Sequence, residues 1–341
     1  MENKYNTHVR CAVIGACGYI GKHIVKYLEE RYQIVPDTYD VCDSIQPNYK
    51  KVDLTDKDSV ANINFDVDYI FNFAGLTGTY AGFDKYDSYV NINEIGLLNL
   101  LDAIRKSNYA PKVIFPSTRL VYKGVDNPLR EEDEKETKTI YAVNKLACEG
   151  LLYAYHQSFD IPYTIFRICI PYGNLLSNDY SFGTVGFFIR QAKAGKDITL
   201  YGGGDIKRTF THMEDLCHQI IEGAFASSSN GQIFNVGGET LSLREAAKII
   251  ATKFNVDIVA VPWPERDLRI ESSHTYFDDH KIKALLGAWE YKQLEDFTKD
   301  LEKHENNKSF RCPIGFSRLG LESWWNVYVH IRNLSLDERT E

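Results

Sequence analysis

Cys11-Ala12-Val13-Ile14-Gly15-Ala16-Cys17-Gly18-Tyr19-Ile20-Gly21 is the stretch whose reading decides the fold. The run from His8 to Ile14 is short, apolar and bounded by polar residues, which fits a buried strand. Glycines then recur as G-x-x-G-x-x-G, not the commoner G-x-G-x-x-G, and Tyr19 to Glu30 carries Ile20, Ile24 and Leu28 at helical spacing. A strand that turns through glycines into a helix lets a pyrophosphate approach backbone N–H groups at the helix N-terminus. Gly15, Gly18 and Gly21, with Tyr19 and Ile20 between them, are therefore candidates for holding a dinucleotide.

Working outward, Ile34-Val35, Val52 with its neighbours, Tyr69 to Phe73, Val113 to Phe115 and Tyr163 to Phe166 read as further strands. Helical patterns fall between several of them, notably Ile92 to Ile104 and Tyr141 to Tyr155. Alternating strands and helices predict an α/β fold, a parallel sheet covered on both faces. Beyond about residue 170 the pattern loosens into glycine-rich loops with separate helices, such as Leu243 to Phe254 and Leu294 to Leu301. An acidic residue after the second strand would accept hydrogen bonds from an adenosine ribose. Asp37 and Asp40 both qualify, and Asp40 lies nearer the expected interval from Gly15. The stretch Tyr32 to Asn48 contains no Lys or Arg to meet a 2′-phosphate, which favours NAD over NADP. Asp53-Leu54, after the next strand, could hold the adenine edge; Asp53 could equally be a helix N-cap or turn residue.

The whole chain narrows the class. With 341 residues it can bury a large core. A net charge of −8 argues against a nucleic-acid partner, because phosphate attraction needs clustered Lys and Arg. No stretch reaches the roughly 18 apolar residues that would span a bilayer, and the polar start has no apolar signal core, so the expected location is the cytoplasm with no membrane partner. The seven cysteines form no C-x-x-C pair and read as reduced core residues, not as metal ligands.

Tyr141 and Lys145 sit one helical turn apart on one face. Bringing a phenol from its ordinary pKa of about 10 to neutrality takes roughly 4 kcal/mol. One unit charge at about 4 Å supplies that much at an effective dielectric near 20. A proton carrier is thus affordable, although the spacing gains weight only from its context.

That context resembles the extended short-chain dehydrogenase/reductase family, in particular its nucleotide-sugar epimerases, dehydratases and ketoreductases. The resemblance runs in order from about residue 8 to 290. It comprises Gly15/Gly18/Gly21, Phe73-Ala74-Gly75, Asn93-Glu94-Ile95-Gly96, Ser117-Thr118-x-x-Val121-Tyr122, Tyr141/Lys145, Arg167 to Gly173, and Arg208 to Asp215. It implies a Rossmann-type doubly wound parallel sheet with a smaller C-terminal substrate domain. Residues 1–170 would bind NAD, with a later return near 231–255, and 171–230 with 256–341 would bind substrate. Tyr141 would be the acid/base, Lys145 would bind the nicotinamide ribose and depress the tyrosine pKa, and Thr118 would hydrogen-bond the reacting sugar oxygen, with Ser117 pointing elsewhere. Phe73, Ala74, Gly75 and Asn93 match cofactor-lining positions. Arg208 matches a clamp on the diphosphate of a nucleoside-diphosphate sugar, Arg269 would act from the other side, and Tyr201 would flank the base. A homodimer through the helices near Asn93 to Lys106 and Tyr141 to Tyr155 is also implied.

The expected chemistry is transfer of a sugar hydroxyl proton to Tyr141 as hydride leaves the same carbon for nicotinamide. Dehydratases of the family carry Asp or Glu after the Ser/Thr; here Arg119-Leu120 stand there, and neither is a base. Ile170 replaces a frequent Asn, and Lys123 a frequent Gly. The leading expectation is an NAD(P)-dependent nucleotide-sugar epimerase acting at C4 through a keto sugar. A 4-ketoreductase or dehydrogenase is the alternative, and a non-catalytic dinucleotide sensor is the alternative of a different class.

Overall fold

The computed structural model describes residues 9–176 and 183–301. The polar start, Cys312, Trp324, Trp325 and the part of the expected substrate domain from 302 onward lie outside the described residues.

The first half runs β1 (Cys11–Ile14), α1 (Tyr19–Tyr32), β2 (Asp37–Asp40), β3 (Tyr49–Lys51), α2 (Lys57–Val60) and β4 (Tyr69–Asn72). Short helices α3 (Ala81–Asp84) and α4 (Tyr86–Tyr89) follow, then a π-helical stretch, Val90–Ile95, that continues into α5 (Gly96–Lys106). β5 (Lys112–Thr118), α6 (Ile140–Phe159) and β6 (Tyr163–Ile168) complete it. The second half holds β7 (Ile170–Tyr172), α7 (Gly183–Lys193), β8 (Ile198–Tyr201), β9 (Lys207–His212), α8 (Met213–Phe225) and β10 (Gln232–Asn235). It ends with β11 (Glu239–Ser242), α9 (Leu243–Phe254), β12 (Ile258–Val261), α10 (Glu265–Ile270), α11 (His280–Leu286) and α12 (Leu294–Lys299).

Seven strands pair in parallel in the order β10-β6-β5-β4-β1-β2-β3. The order steps away from β1 in both directions, so the switch point lies between β1 and β4, where such sheets open a ligand crevice at their carboxyl edge. This is the expected Rossmann-type doubly wound sheet. Ala12, Val13, Ile70, Phe71, Val113 and Ile114 are all excluded from water. Helices cover both faces, which is why these strands read as apolar runs and not as alternating ones. On one face Ile24 and Leu28 of α1 pack with Leu216 and Ile220 of α8. On the other, Leu97 and Leu101 of α5 pack with Cys148 and Leu152 of α6.

The second strand is Asp37–Asp40 and not Ile34-Val35. Gln33 ends α1 in the left-handed conformation, Val35 is 56% exposed, and the buried pair is Thr38-Tyr39. The shift has a functional consequence: Ile14 pairs with Tyr39, which puts Asp40 beside the glycine turn.

The smaller unit is built from the β11-β9-β7 sheet and the β12-β8 pair. Its core gathers Ile170, Val185, Ile189, Phe210, Ala247 and Ile250. Two parts of the expected division change. The returning strand is β10 alone, because α9 packs in the smaller core, and α8 joins the large sheet although it falls within 171–230. Among the described residues no helix is long and apolar enough to cross a membrane.

Candidate active site

The glycine turn is built on backbone contacts that leave no room for side chains. Gly15 has φ +80°, and a Cβ there would lie 2.6 Å from Ala74 N, the backbone of the loop after β4. A Cβ on Gly21 would lie 2.1 Å from Gly15 O, so α1 packs directly on the turn. Gly18 is the N-cap of α1 and offers no side-chain cap, leaving the first amides of a 14-residue helix to face an anion. Ile20 packs towards the core and Tyr19 donates from Oη to Gly173 O at 2.5 Å, so between the glycines the backbone is the ligand-facing surface.

Asp40 closes the other side of the turn. Its carboxylate accepts from Cys17 N at 2.9 Å and from Val41 N at 2.7 Å. Asp37 instead accepts from Asn64 at the opposite end of β2. Of the two acidic candidates, only Asp40 stands at the carboxyl edge. At the same edge Asn72, paired in register with Ile14, is buried with its Oδ1 lacking any hydrogen-bond partner. The Cβ-free cradle, the uncapped helix and this orphan acceptor fit a dinucleotide. Phe73 N donates to Ile14 O, and Asn93 takes both polar groups of Leu76, so the Phe73-Ala74-Gly75 segment is pinned in place. Asn93 thus braces this loop from behind. Asp53 is exposed and accepts from Thr55 N and Thr55 Oγ1, the turn role considered beside the adenine one, and the Leu54 side chain belongs to the core. The N-cap of α2 is Asp56.

At the carboxyl end of β5 stands Thr118, and Thr139 caps α6 so that Tyr141 lies in its first turn. The Thr118 hydroxyl accepts from Leu120 N at 3.3 Å and lies near enough to the Tyr141 phenol to favour its charged form. Lys145, one turn on, is buried, donates to Pro116 O at 2.8 Å and lies 5.8 Å from the Tyr141 ring centre. The expected effect of Lys145 on the tyrosine is therefore not met within the chain. Burial pushes the phenol above its ordinary value, with only the neighbouring Thr118 hydroxyl acting the other way. Burial also pushes the ammonium down to about 8. Desolvation outweighs a cation whose hydrogen bond is given to a carbonyl.

The two expected clamps are placed differently from the sequence reading. Arg208 is 1% exposed, and its guanidinium bonds Glu271 at 2.6 Å, Ser273 O at 2.5 Å and Lys207 O at 2.8 Å. It holds the 271–275 segment to β9, and a phosphate could claim it only by displacing Glu271. Arg269 is turned outward on α10, 75% exposed and paired with Glu265 one turn earlier, so it does not reach the site. Helical phase explains this, because on a six-residue surface helix an i,i+4 partner captures the side chain. Tyr201 is half-buried against Trp263, with ring centres 5.2 Å apart. Lys123 faces solvent and pairs with Glu134.

The profile of the NAD dependent epimerase/dehydratase family matches residues 11–237. The chain belongs to that family. It is 29% identical over 276 residues to the UDP-N-acetyl-alpha-D-glucosaminuronate decarboxylase of Bacillus cytotoxicus, covering 74% of this chain and 84% of that one. It is 27% identical over 331 residues to UDP-glucuronate 4-epimerase 1 of Arabidopsis thaliana, covering 85% and 74%. The structure of UDP-glucuronic acid 4-epimerase from Bacillus cereus, in complex with UDP-glucuronic acid and NAD, superposes with a TM-score of 0.74 at 21% identity, covering 85% and 97%, and so shares the fold. As a member of this family the chain is an NAD-dependent enzyme.

This family member also carries a buried polar network that the sequence reading missed. Arg167 makes a two-pronged ion pair with Glu149, at 2.9 and 2.6 Å, and donates to Tyr122 Oη at 2.7 Å. Ser117 donates to the same carboxylate. Tyr122 in turn donates to Asn235 on β10. The network ties Ser117, next to Thr118, to the helix that carries Tyr141. Removing either charge would strand the other where side chains are 2% and 5% exposed, at a cost of about 3–5 kcal/mol. One signal was available: Tyr141, Lys145 and Glu149 follow at four-residue intervals on one helix face.

Proposed function

We propose that this chain is a nucleotide-sugar epimerase that inverts C4 of a nucleoside-diphosphate sugar through a 4-keto sugar. The observation that carries the reading is the placement of Thr118 and Tyr141, at the end of β5 and the start of α6, on the sheet edge that also bears the glycine turn. Asp40 holds the adenosine ribose, the turn at Gly15, Gly18 and Gly21 receives the pyrophosphate, and the absence of Lys and Arg from 32 to 48 favours NAD over NADP. When bound, NAD supplies a hydride acceptor and donor and, in its oxidised form, one positive charge. Tyr141 Oη takes the proton of the C4 hydroxyl and returns it after the keto sugar has presented its other face. Thr118 donates a hydrogen bond to the developing carbonyl oxygen, and Lys145 fixes the phenol's surroundings and binds the nicotinamide ribose. Arg119 and Leu120 leave the position after Thr118 without a base, which sets aside 4,6-dehydration. Both relatives act on uridine nucleotides by name, which favours uridine as the base. Tyr201 and Arg208 are proposed to lie along the nucleotide, the latter after exchanging Glu271 for phosphate.

A homodimer through α5 and α6 belongs to the same reading, supported by the exposure of Ile95, Val143 and Tyr153. A reducing, cytoplasmic setting accords with the free thiols of the six described cysteines. Gel filtration of protein from the soluble fraction of a lysate tests these points together. The expected peak has a dimer's mass and carries bound NAD, and a panel of UDP-sugars then yields epimers by NMR with no net redox change. A cofactor-free peak that consumes NAD(P)H stoichiometrically would instead make the chain a ketoreductase. A chain that binds NAD but neither UDP, TDP, GDP nor CDP would be the non-catalytic sensor.

A further inference from the structure

After β12 the chain runs from the smaller unit to the carboxyl edge of the large sheet, and residues 263–275 touch in turn the neighbours of the proposed site. Trp263 packs on Tyr201, with ring centres 5.2 Å apart. Three residues on, the guanidinium carbon of Arg266 lies 3.5 Å from the centre of the Tyr80 ring, in the loop that continues from Phe73-Ala74-Gly75. Tyr80 opens α3, where a Cβ on Gly82 would lie 3.0 Å from Ile140, the residue before Tyr141. Glu271 O accepts from Lys138, three residues before Tyr141, and Thr275 Oγ1 accepts from Arg119, the residue after Thr118.

The two halves of this strap are held very differently. Ser272 and Thr275 are 3% and 0% exposed, Arg208 bonds Glu271 and Ser273 O, and a Cβ on Gly124 would lie 1.4 Å from Ser272 O. That half is sealed to its surroundings. Glu265–Ile270 form α10, which buries none of its residues, and Arg269 pairs only with Glu265 of the same helix. A six-residue helix without core contacts opens at low cost. Arg266, whose Nε also lies 3.5 Å from Asp267, reaches from α10 to the large unit through its stacking on Tyr80. A half-exposed cation on an aromatic face is a weak, reversible contact.

We infer that α10 is a gate over the nucleotide channel, hinged at Glu271 and clasped by Arg266 on Tyr80. The inference rests on the sugar-nucleotide reading, in which Tyr201 lies along the nucleotide and Thr118 and Tyr141 address the sugar. A nucleotide sugar that spans Tyr201 and Thr118 follows the same course as the strap, so it passes in or out when α10 lifts. Neither partner of the clasp is assigned to the nucleotide. Weakening the clasp should therefore speed passage in both directions and leave the equilibrium nearly unchanged, whereas losing a direct ligand contact would speed exit alone.

The test is stopped-flow fluorescence of UDP binding to the NAD-loaded enzyme, comparing Arg266→Gln, Tyr80→Leu and the double variant with the unaltered chain. Each single variant should raise the association and dissociation rates together by roughly two- to fivefold, the worth of an exposed cation–π pair, with Kd within about twofold. The double variant should match either single one, because both remove the same contact. Tyr80→Trp, which offers the cation a better face, should slow both rates and serves if Tyr80→Leu fails to fold. Unchanged rates, additive effects in the double variant, or a faster exit with a matching rise in Kd would each overturn the gate. Those failures leave the sugar-nucleotide reading intact. If UDP does not bind the unaltered enzyme at all, that reading fails and the gate with it.

Discussion

Tyr141→Phe should lower kcat by about 10²- to 10⁴-fold, the range spanned by a positioned proton carrier, while the protein still folds and retains NAD. The variant removes one oxygen from a half-buried ring and leaves the core around α6 untouched. The structure adds a pH signature. Burial holds the phenol above its ordinary value, so at neutral pH most of it is protonated and the population able to accept the C4 proton grows as pH rises. Over that approach kcat/KM should climb with pH, up to the region near 8 where Lys145 loses its charge, and the dependence should vanish in Tyr141→Phe. Steady-state rates across pH, with circular dichroism to confirm the fold, check both points. A variant with near-normal turnover would remove Tyr141 from the chemistry.

Gly21→Ala should abolish stable NAD retention. A methyl at that position would lie 2.1 Å from the carbonyl oxygen of Gly15, a backbone atom that cannot swing aside. Either α1 shifts off the turn or Gly15 leaves its φ of +80°, and both change the backbone surface proposed to receive the pyrophosphate. Strain of about 1–3 kcal/mol alone would weaken binding by roughly one to two powers of ten. Loss of the N-terminal amides as ligands adds to it. Equilibrium dialysis with NAD measures the effect, and Gly150→Ala on the outer face of α6, where a Cβ meets nothing within 4 Å, is the matched control. Undiminished NAD affinity in Gly21→Ala would place the cofactor elsewhere.

Much of this was legible in the sequence because it depends on local rules. The glycine turn needs a strand before it and a helix after it, and all three were visible in eleven consecutive residues. Thr118, Tyr141 and Lys145 were singled out through their order along the chain, and the fold places the end of β5 beside α6, where Lys145 reaches Pro116 O. What escaped were matters of tertiary pairing. β2 was misplaced because its buried residues are Thr38 and Tyr39, which look polar beside Ile34-Val35. Arg208 and Arg269 were equivalent as charges in the sequence, yet one is sealed against Glu271 and the other is exposed beside Glu265. The raised phenol pKa could not be read from an i,i+4 spacing, since it depends on where the Lys145 ammonium finds its acceptor and how deeply both groups are buried.

In the proposed reaction hydride leaves and returns to the same carbon while Tyr141 carries the proton. It is tested most directly with a UDP-sugar deuterated at C4, incubated with the enzyme as isolated and followed by NMR. The expected product is the C4 epimer with deuterium still on C4 and no accumulation of reduced cofactor in solution. Loss of the label to water, or one reduced cofactor released per sugar converted, would contradict it.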